Sequence, residues 1–310
     1  MTAMFGTVLP IFALIACGFG FARWRRLGAD AVALLNSFTV WLALPALLFR
    51  AVASAPVVQL WQPSFLIAFS AGMAATFVVA LLLPHGRGSD LASRTIDGLC
   101  AAYANTAFIG IPLMAGLFGA ANIGPAIVAT LLTVCLLFAI ACLLIELDVH
   151  RDHPARVAAR RVAIALVRNP LVLSPLAGGL WNACRLPLPA ALDSFTTLLG
   201  GAATPVALVT IGMFLAQPSR AGRTPGLAPL LLLKLVAQPL LTWLALLALP
   251  AMPPLWAKGA ILIAALPTGT GPFMVAQLYD RELAVSSRVI LISTIISVIT
   301  VSALAWHMTG

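Results

Sequence analysis

Nearly all of this chain is divided into apolar blocks of roughly 20 residues, the length an α-helix needs to cross about 30 Å of hydrocarbon. Ten such blocks can be drawn, at 4–22, 31–53, 63–83, 95–118, 122–147, 169–184, 190–216, 228–249, 258–279 and 283–307. Hydrophobic residues are 62% of the 310 and charged residues 9%, against about 25% charged in soluble domains. The pattern predicts an all-α integral membrane protein of ten transmembrane helices, with the lipid bilayer as its solvent. Too little chain remains for a soluble domain, so function has to be performed inside the bundle.

The formal charge of +9 comes from basic residues scattered through short connections. They never gather with aromatics into a patch, which argues against nucleic acid as a partner. They fall instead on alternate connections. Arg23, Arg25 and Arg26 follow the first block, Arg87 and Arg94 precede the fourth, and Arg151, Arg156, Arg160, Arg161 and Arg168 fill the central connection. Arg220 and Arg223 follow the seventh block, and Arg281 and Arg288 lie at the start of the tenth. The positive-inside rule makes these connections cytoplasmic and puts both termini outside. No Lys or Arg precedes the first block, the reverse of a signal peptide's charge order, so it reads as a retained helix. Arg50, Arg185 and Lys258 sit near outer ends, while Lys234, about six residues into the eighth block, is expected to snorkel to the cytoplasmic surface.

Other chemistries find little support. Cys17, Cys100, Cys135, Cys142 and Cys184 contain no C-x-x-C pair and read as apolar packing residues. Asp148, His150, Asp152 and His153 of "DVHRDH" read as a solvated loop rather than a metal cluster. There is no G-x-S-x-G, no H-E-x-x-H and no pair of mid-block carboxylates, so an intramembrane enzyme is not expected. No metal or cofactor is called for beyond a sodium ion that could couple to transport.

A weak internal repeat organises the blocks. A shift of 160 residues lays Pro10 on Pro170, Pro45 on Pro205, Pro112 on Pro272, Gly18 on Gly178 and Met114 on Met274. Each proline pair joins corresponding blocks of two five-block halves, 1–147 and 169–310, with 148–168 as a cytoplasmic loop between them. An odd number of crossings per half inverts the second half relative to the first. Inverted repeats of this kind are the architecture of many secondary transporters.

Within the fourth block, "CAAYANTAFIGIPLMAGLF" is interrupted by Gly110 and Pro112; within the ninth, "AALPTGTGPFMVAQLY" is interrupted by Gly269, Gly271 and Pro272. Proline removes a backbone donor and clashes with the preceding turn. Unpaired backbone is tolerated at membrane depth only where protein or a polar cavity surrounds it, and paired breaks in two halves point to a substrate site. Half-helices beginning near Pro112 and Pro272 would offer free N–H groups and positive dipole ends, which favour an anion. Asn105, Thr106, Thr268 and Thr270 add neutral donors and acceptors, and Gln277, a turn past Pro272, is a further candidate. The competing reading is a pair of simple proline kinks whose Thr hydroxyls bond back to the preceding turn.

The segments "LLNSFTVWLALPALLF" (34–49), "NTAFIGIPL" (105–113), "PVALVTIG" (205–212) and "ALPTGTGP" (265–272) resemble the auxin efflux carrier family, whose bacterial members are often labelled malonate or malate transporters. The resemblance covers essentially the whole chain. It implies ten spans in a fold related to bile acid–sodium symporters, with the fourth and ninth helices crossing at Pro112 and Pro272. It also implies alternating access or an elevator motion of a transport domain against a scaffold, a homodimer through spans two and seven, and residence in the bacterial inner membrane. Asn105 matches the substrate-carboxylate Asn. The implied cargo is a small organic anion such as malonate, malate or an auxin-like acid, with a channel or receptor as the alternative class. Asp30, Asp90, Asp97, Glu146, Asp148, Asp152, Asp193, Asp280 and Glu282 lie near block ends, so no mid-membrane carboxylate is available to carry a proton. A potential-driven uniport and sodium coupling, with Thr106, Thr268, Thr270 and unwound carbonyls as ligands, lead as energy sources, with proton coupling through a buried side chain third.

Overall fold

A computed structural model describes residues 2–54, 61–83, 90–149, 155–217 and 226–309. Arg87, His150, Arg151, Asp152, His153, Arg220 and Arg223, to which the sequence assigned topology or loop roles, lie outside the described residues. The described chain is helical throughout, and its only β pairing is an isolated bridge. The helices are α1 (Thr2–Arg25), α2 (Ala29–Ser54), α3 (Pro63–Leu82), α4 (Leu91–Ala102), α5 (Thr106–Phe118), α6 (Ala120–Val149) and α7 (Ala155–Val167). They continue as α8 (Pro170–Ala183), α9 (Ala190–Leu215), α10 (Leu227–Leu247), α11 (Pro254–Ala264), α12 (Gly271–Leu278) and α13 (Leu283–Thr309). By length and composition α2, α3, α6, α9, α10 and α13 are able to cross a membrane, and α5 and α11 are shorter apolar helices.

One expectation is corrected here. The segment 148–168, read as a loop because of its charges, carries α7. Its Arg156, Arg160 and Arg161 are exposed, and Arg is a good helix former whose density says nothing against a helix.

The chain forms two compact units, each drawn from separated stretches. Unit one comprises Met1–Trp61, Ala107–Ile127 and Val167–Pro218. Here α1 packs along α9 and α2 along α8, and small residues let the backbones approach. A Cβ added to Gly18 would lie 2.1 Å from the Val209 carbonyl oxygen, and one added to Gly178 would lie 2.5 Å from that of Phe49. Close approach through small residues is how helices associate where lipid removes the hydrophobic drive between them. Arg50 pairs with Asp193 at 2.7 Å, and the Asn182 amide donates to the Val52 carbonyl at 2.9 Å.

Unit two comprises Gln62–Thr106, Val128–Leu166 and Ser219–Gly310. In it α3 packs between α10 and α4: Gly72 opposes Thr242 of α10, and Gly98 opposes the Phe77 ring. Phe65 stacks on Phe69 and meets Trp256 edge-on. Asp97 and Lys234 are buried within it, and other charges meet at helix ends. Glu146 accepts from Arg161 at 3.1 Å and from the Tyr279 hydroxyl at 2.9 Å, Asp148 accepts from the Ala92 N–H at 3.0 Å, and Arg281 pairs with Asp90.

Candidate functional site

The two interrupted segments meet within unit two. Helix α4 ends at Ala102, and Tyr103 to Asn105 run extended before α5 opens at Thr106. Helix α11 ends at Ala264, and the chain stays non-helical through Thr270 before α12. The two breaks pair as an antiparallel bridge, Ala104 against Thr268. The Asn105 N–H donates to the Pro267 carbonyl and the Gly269 N–H to the Tyr103 carbonyl, both at 2.9 Å. Each break thereby satisfies the other's backbone, as a segment without access to water requires.

The half-helix ends are closed by side chains. Thr268 donates its hydroxyl to the Cys100 carbonyl at 2.7 Å, and its N–H goes to Ser293 Oγ at 3.1 Å. Gln238 Nε2 donates to the Ala102 carbonyl at 2.9 Å. Lys234 Nζ donates to the Ala264 carbonyl at 2.9 Å and to Gln238 Oε1. The last carbonyls of both α4 and α11 are thus served from consecutive turns of α10, in place of the partners that helix C-termini lack.

Asn105 and Thr106 behave differently. They are 3% and 2% exposed, yet neither the Asn105 amide nor the Thr106 hydroxyl makes a hydrogen bond to a described residue. Neither belongs to the side-chain atoms that are fully enclosed without a partner, so the small accessible part of each residue includes its polar atoms. A simple proline kink does not account for this arrangement. Thr39, Thr76, Thr95, Thr133, Thr210 and Thr294 each donate to the carbonyl four residues back, whereas Thr268 donates across the crossing and Thr106 does not back-bond.

The remaining candidates divide. Gly269 and Gly271 lie at the crossing, where they admit the Tyr103 ring: a Cβ on Gly271 would sit 2.5 Å from Tyr103 Cζ and one on Gly269 3.1 Å from the ring. Thr270 is half-buried in helical backbone, its carbonyl accepting from Met274 at 3.1 Å. Pro272 occupies the first turn of α12, where its missing donor costs nothing. Gln277 is exposed in the last turn of α12. Gly110 and Pro112 belong to unit one and are buried in α5.

Three expectations need revision. The half-helix of the fourth block opens at Thr106, not near Pro112, because a five-residue π-turn, Thr106–Gly110, precedes the proline. Gly110 is accordingly helical, at φ −63° and ψ −46°, rather than unwound. An extra residue in the turn re-spaces the carbonyls around a residue that has no N–H. Lys234 does not snorkel. It is 0% exposed and spends its donors inside unit two. Position along the block was a poor guide because the face of α10 carrying Lys234 and Gln238 turns inward. Tyr103, Gln238 and Ser293 were missed altogether. The only signal was the K-x-x-x-Q spacing in "LKLVAQPL", which puts two polar groups on one helical face.

Over residues 3–305 the sequence matches the family described as membrane transport protein. It is 33% identical over 316 residues, covering 99% of this chain and 96% of the relative, to a protein of Rhizobium meliloti (strain 1021) named "Putative malonate transporter".

Proposed function

The chain belongs to the membrane transport protein family, the auxin efflux carrier family, and is a multi-pass membrane transporter; on that premise we propose that it carries a small organic anion, a short carboxylate of the malonate or malate type, by alternating access at the crossing of its fourth and ninth spans. The observation that carries the reading is the Asn105 amide beside the Thr106 hydroxyl at the opening of α5, neither bonded through its side chain to a described residue and neither fully enclosed. A neutral amide next to a helix N-terminus is a carboxylate receptor that binds without a fixed opposite charge, so release stays fast. In this reading Asn105, Thr106, Thr270, the glycines at 269 and 271 and the crossover proline Pro272, all of unit two, form the substrate site.

The architecture proposed is ten spans in two inverted repeats, 1–147 and 169–310, joined by 148–168. Its support is twofold. Gly18 opposes Val209 and Gly178 opposes Phe49, and a shift of 160 residues turns the first contact into the second. Each compact unit also contains corresponding spans of both halves: one and two with six and seven in unit one, and three and most of five with eight and ten in unit two. Unit two, which holds the crossing, is the moving part of the proposed elevator, and unit one is its scaffold, with spans two and seven as the proposed dimer contact. The pairs Arg281–Asp90, Arg161–Glu146 and Arg50–Asp193 each join residues that the proposed topology puts on the same side, and the positive-inside rule then sets that side, with outer termini in a bacterial inner membrane. An inside-negative potential expels anions at about 2.3 kcal/mol per charge per 100 mV, so export needs no coupled ion.

A thermal-shift screen of short mono- and dicarboxylates on purified protein tests the binding claim, since a ligand that binds only the folded state raises its apparent stability. Malonate or a close relative is expected to stabilise the wild type and to lose that effect in Asn105→Ala. Equal stabilisation of both proteins would remove Asn105 from the site.

A further inference from the structure

Helix α7 is set apart from the rest of unit two. Among the described residues it has no extended packing against another helix, and it is tied to α6 by the pair of Arg161 with Glu146 at 3.1 Å. Between the two helices lies a groove of about 240 Å³, lined by Ala139, Ile140 and Leu143 of α6 and by Ala159, Val162 and Ala163 of α7. Every lining residue is aliphatic. A space of this kind suits hydrocarbon, because water there would lack polar partners. Leu143 and Ala139 stand three and seven residues before Glu146 on α6, about 5–10 Å from that charged end at 1.5 Å per residue. An amphipathic helix lying in the plane of a membrane interface buries its apolar face to the same depth, about 5–10 Å.

A row of cations runs beside the groove. Arg156 and Arg160 are one turn apart on α7, and each precedes a groove residue, Ala159 and Ala163 respectively, by three positions, so the two rows are neighbours on the helix surface. Both arginines are exposed, and neither makes an ion pair or hydrogen bond with a described residue. The carboxylates at the end of α6 are turned to other groups: Glu146 accepts from Arg161 and the Tyr279 hydroxyl, and Asp148 accepts from the Ala92 N–H. A guanidinium keeps its charge in any such setting and presents a fork that matches a phosphate. An aliphatic slot flanked by two uncommitted guanidinium groups is complementary to one molecule that carries both a hydrocarbon chain and a phosphate with net negative charge.

We propose that α7 lies in the membrane interface and forms with α6 a binding site for an anionic phospholipid: an acyl chain occupies the groove, and Arg156 and Arg160 hold the phosphodiester. None of these residues belongs to the crossing.

The test is native mass spectrometry of the purified, delipidated full chain, titrated with phosphatidylglycerol, with phosphatidylcholine of the same acyl chains, and with glycerol 3-phosphate. The wild type is expected to prefer phosphatidylglycerol and to bind glycerol 3-phosphate undetectably, since a headgroup alone leaves the groove empty. Arg156→Gln combined with Arg160→Gln is expected to weaken phosphatidylglycerol binding by roughly fivefold per arginine. Arg23→Gln combined with Arg25→Gln removes two exposed cations of α1 and is expected to leave it unchanged. Ala163→Phe fills the groove with every charge kept, and it is expected to weaken the binding of both lipids. Equal affinity for the two lipids, an equal loss in the α1 variant, unchanged binding in Ala163→Phe, or glycerol 3-phosphate competing as well as the lipid would each overturn the site. Should a variant fail to fold, hydrogen exchange of the wild type decides: the amides of α7 are expected to exchange more slowly in nanodiscs of phosphatidylglycerol than in nanodiscs of phosphatidylcholine, and equal exchange in the two contradicts the assignment.

Discussion

At the scale of single residues, the contrast between Asn105 and Thr268 is the most informative. Both are buried residues at one crossing, but the Thr268 hydroxyl is bonded internally and the Asn105 side-chain amide is not. Asn105→Ala is therefore expected to weaken carboxylate binding by about 1.5–3 kcal/mol and to leave the melting temperature of the ligand-free protein nearly unchanged. Thr268→Val should do the opposite to stability: it removes the buried hydrogen bond from the Thr268 hydroxyl to the Cys100 carbonyl, at a cost of about 0.5–1.5 kcal/mol, read by thermal or detergent denaturation. A Thr268→Val variant as stable as the wild type would remove that bond from the account. Gly271→Ala would push a methyl to within 2.5 Å of Tyr103 Cζ, an overpacking worth about 1–3 kcal/mol. Tyr103→Leu in the same chain is expected to relieve most of it, as measured by a double-mutant cycle. Asn105 was legible in the sequence because a polar pair inside an apolar block is a local signal. Lys234 was misread because its partner carbonyl at Ala264 is thirty residues away, and nothing local reveals which way its face of α10 points.

At the scale of elements, the breaks were legible and their registers were not. Gly and Pro mark where a helix cannot run smoothly, yet α5 begins six residues before Pro112 because a π-turn absorbs the proline within the helix. The bridge of Ala104 with Thr268 depends on two segments far apart in sequence, so no window along the chain could show it. The helix α7 escaped for a different reason: a high density of Arg looks like a loop when charge is weighed above helix propensity. Element packing in unit one yields its own test. A Cβ on Gly212 would lie 1.9 Å from the Ile15 carbonyl oxygen, and backbone cannot yield as a side-chain tip does. Gly212→Ala is expected to force α1 and α9 apart and to lower the melting temperature, whereas Gly201→Ala, with open space around the added methyl, should leave it unchanged. Equal melting of the two variants would contradict the close approach.

At the scale of the whole molecule, the sequence halves and the compact units cut the chain differently. The proline register divides it once, in the central connection, while the folded chain sorts its helices into two units each assembled from three stretches. Ordering along the chain is visible in a sequence; interleaving is not, because it is decided by which helices exclude lipid from one another. The interleaving matters for function, since it gathers both breaks, and the α10 residues that close them, into one body. The central claim is that this body binds a carboxylate and exchanges it across the membrane. Counterflow in proteoliposomes tests it most directly: vesicles loaded with unlabelled malonate are diluted into labelled malonate, with sodium absent and the potential clamped. The account predicts transient accumulation of label that depends on internal malonate and is lost in Asn105→Ala. Label uptake that is indifferent to internal malonate, or that persists unchanged in Asn105→Ala, would contradict it.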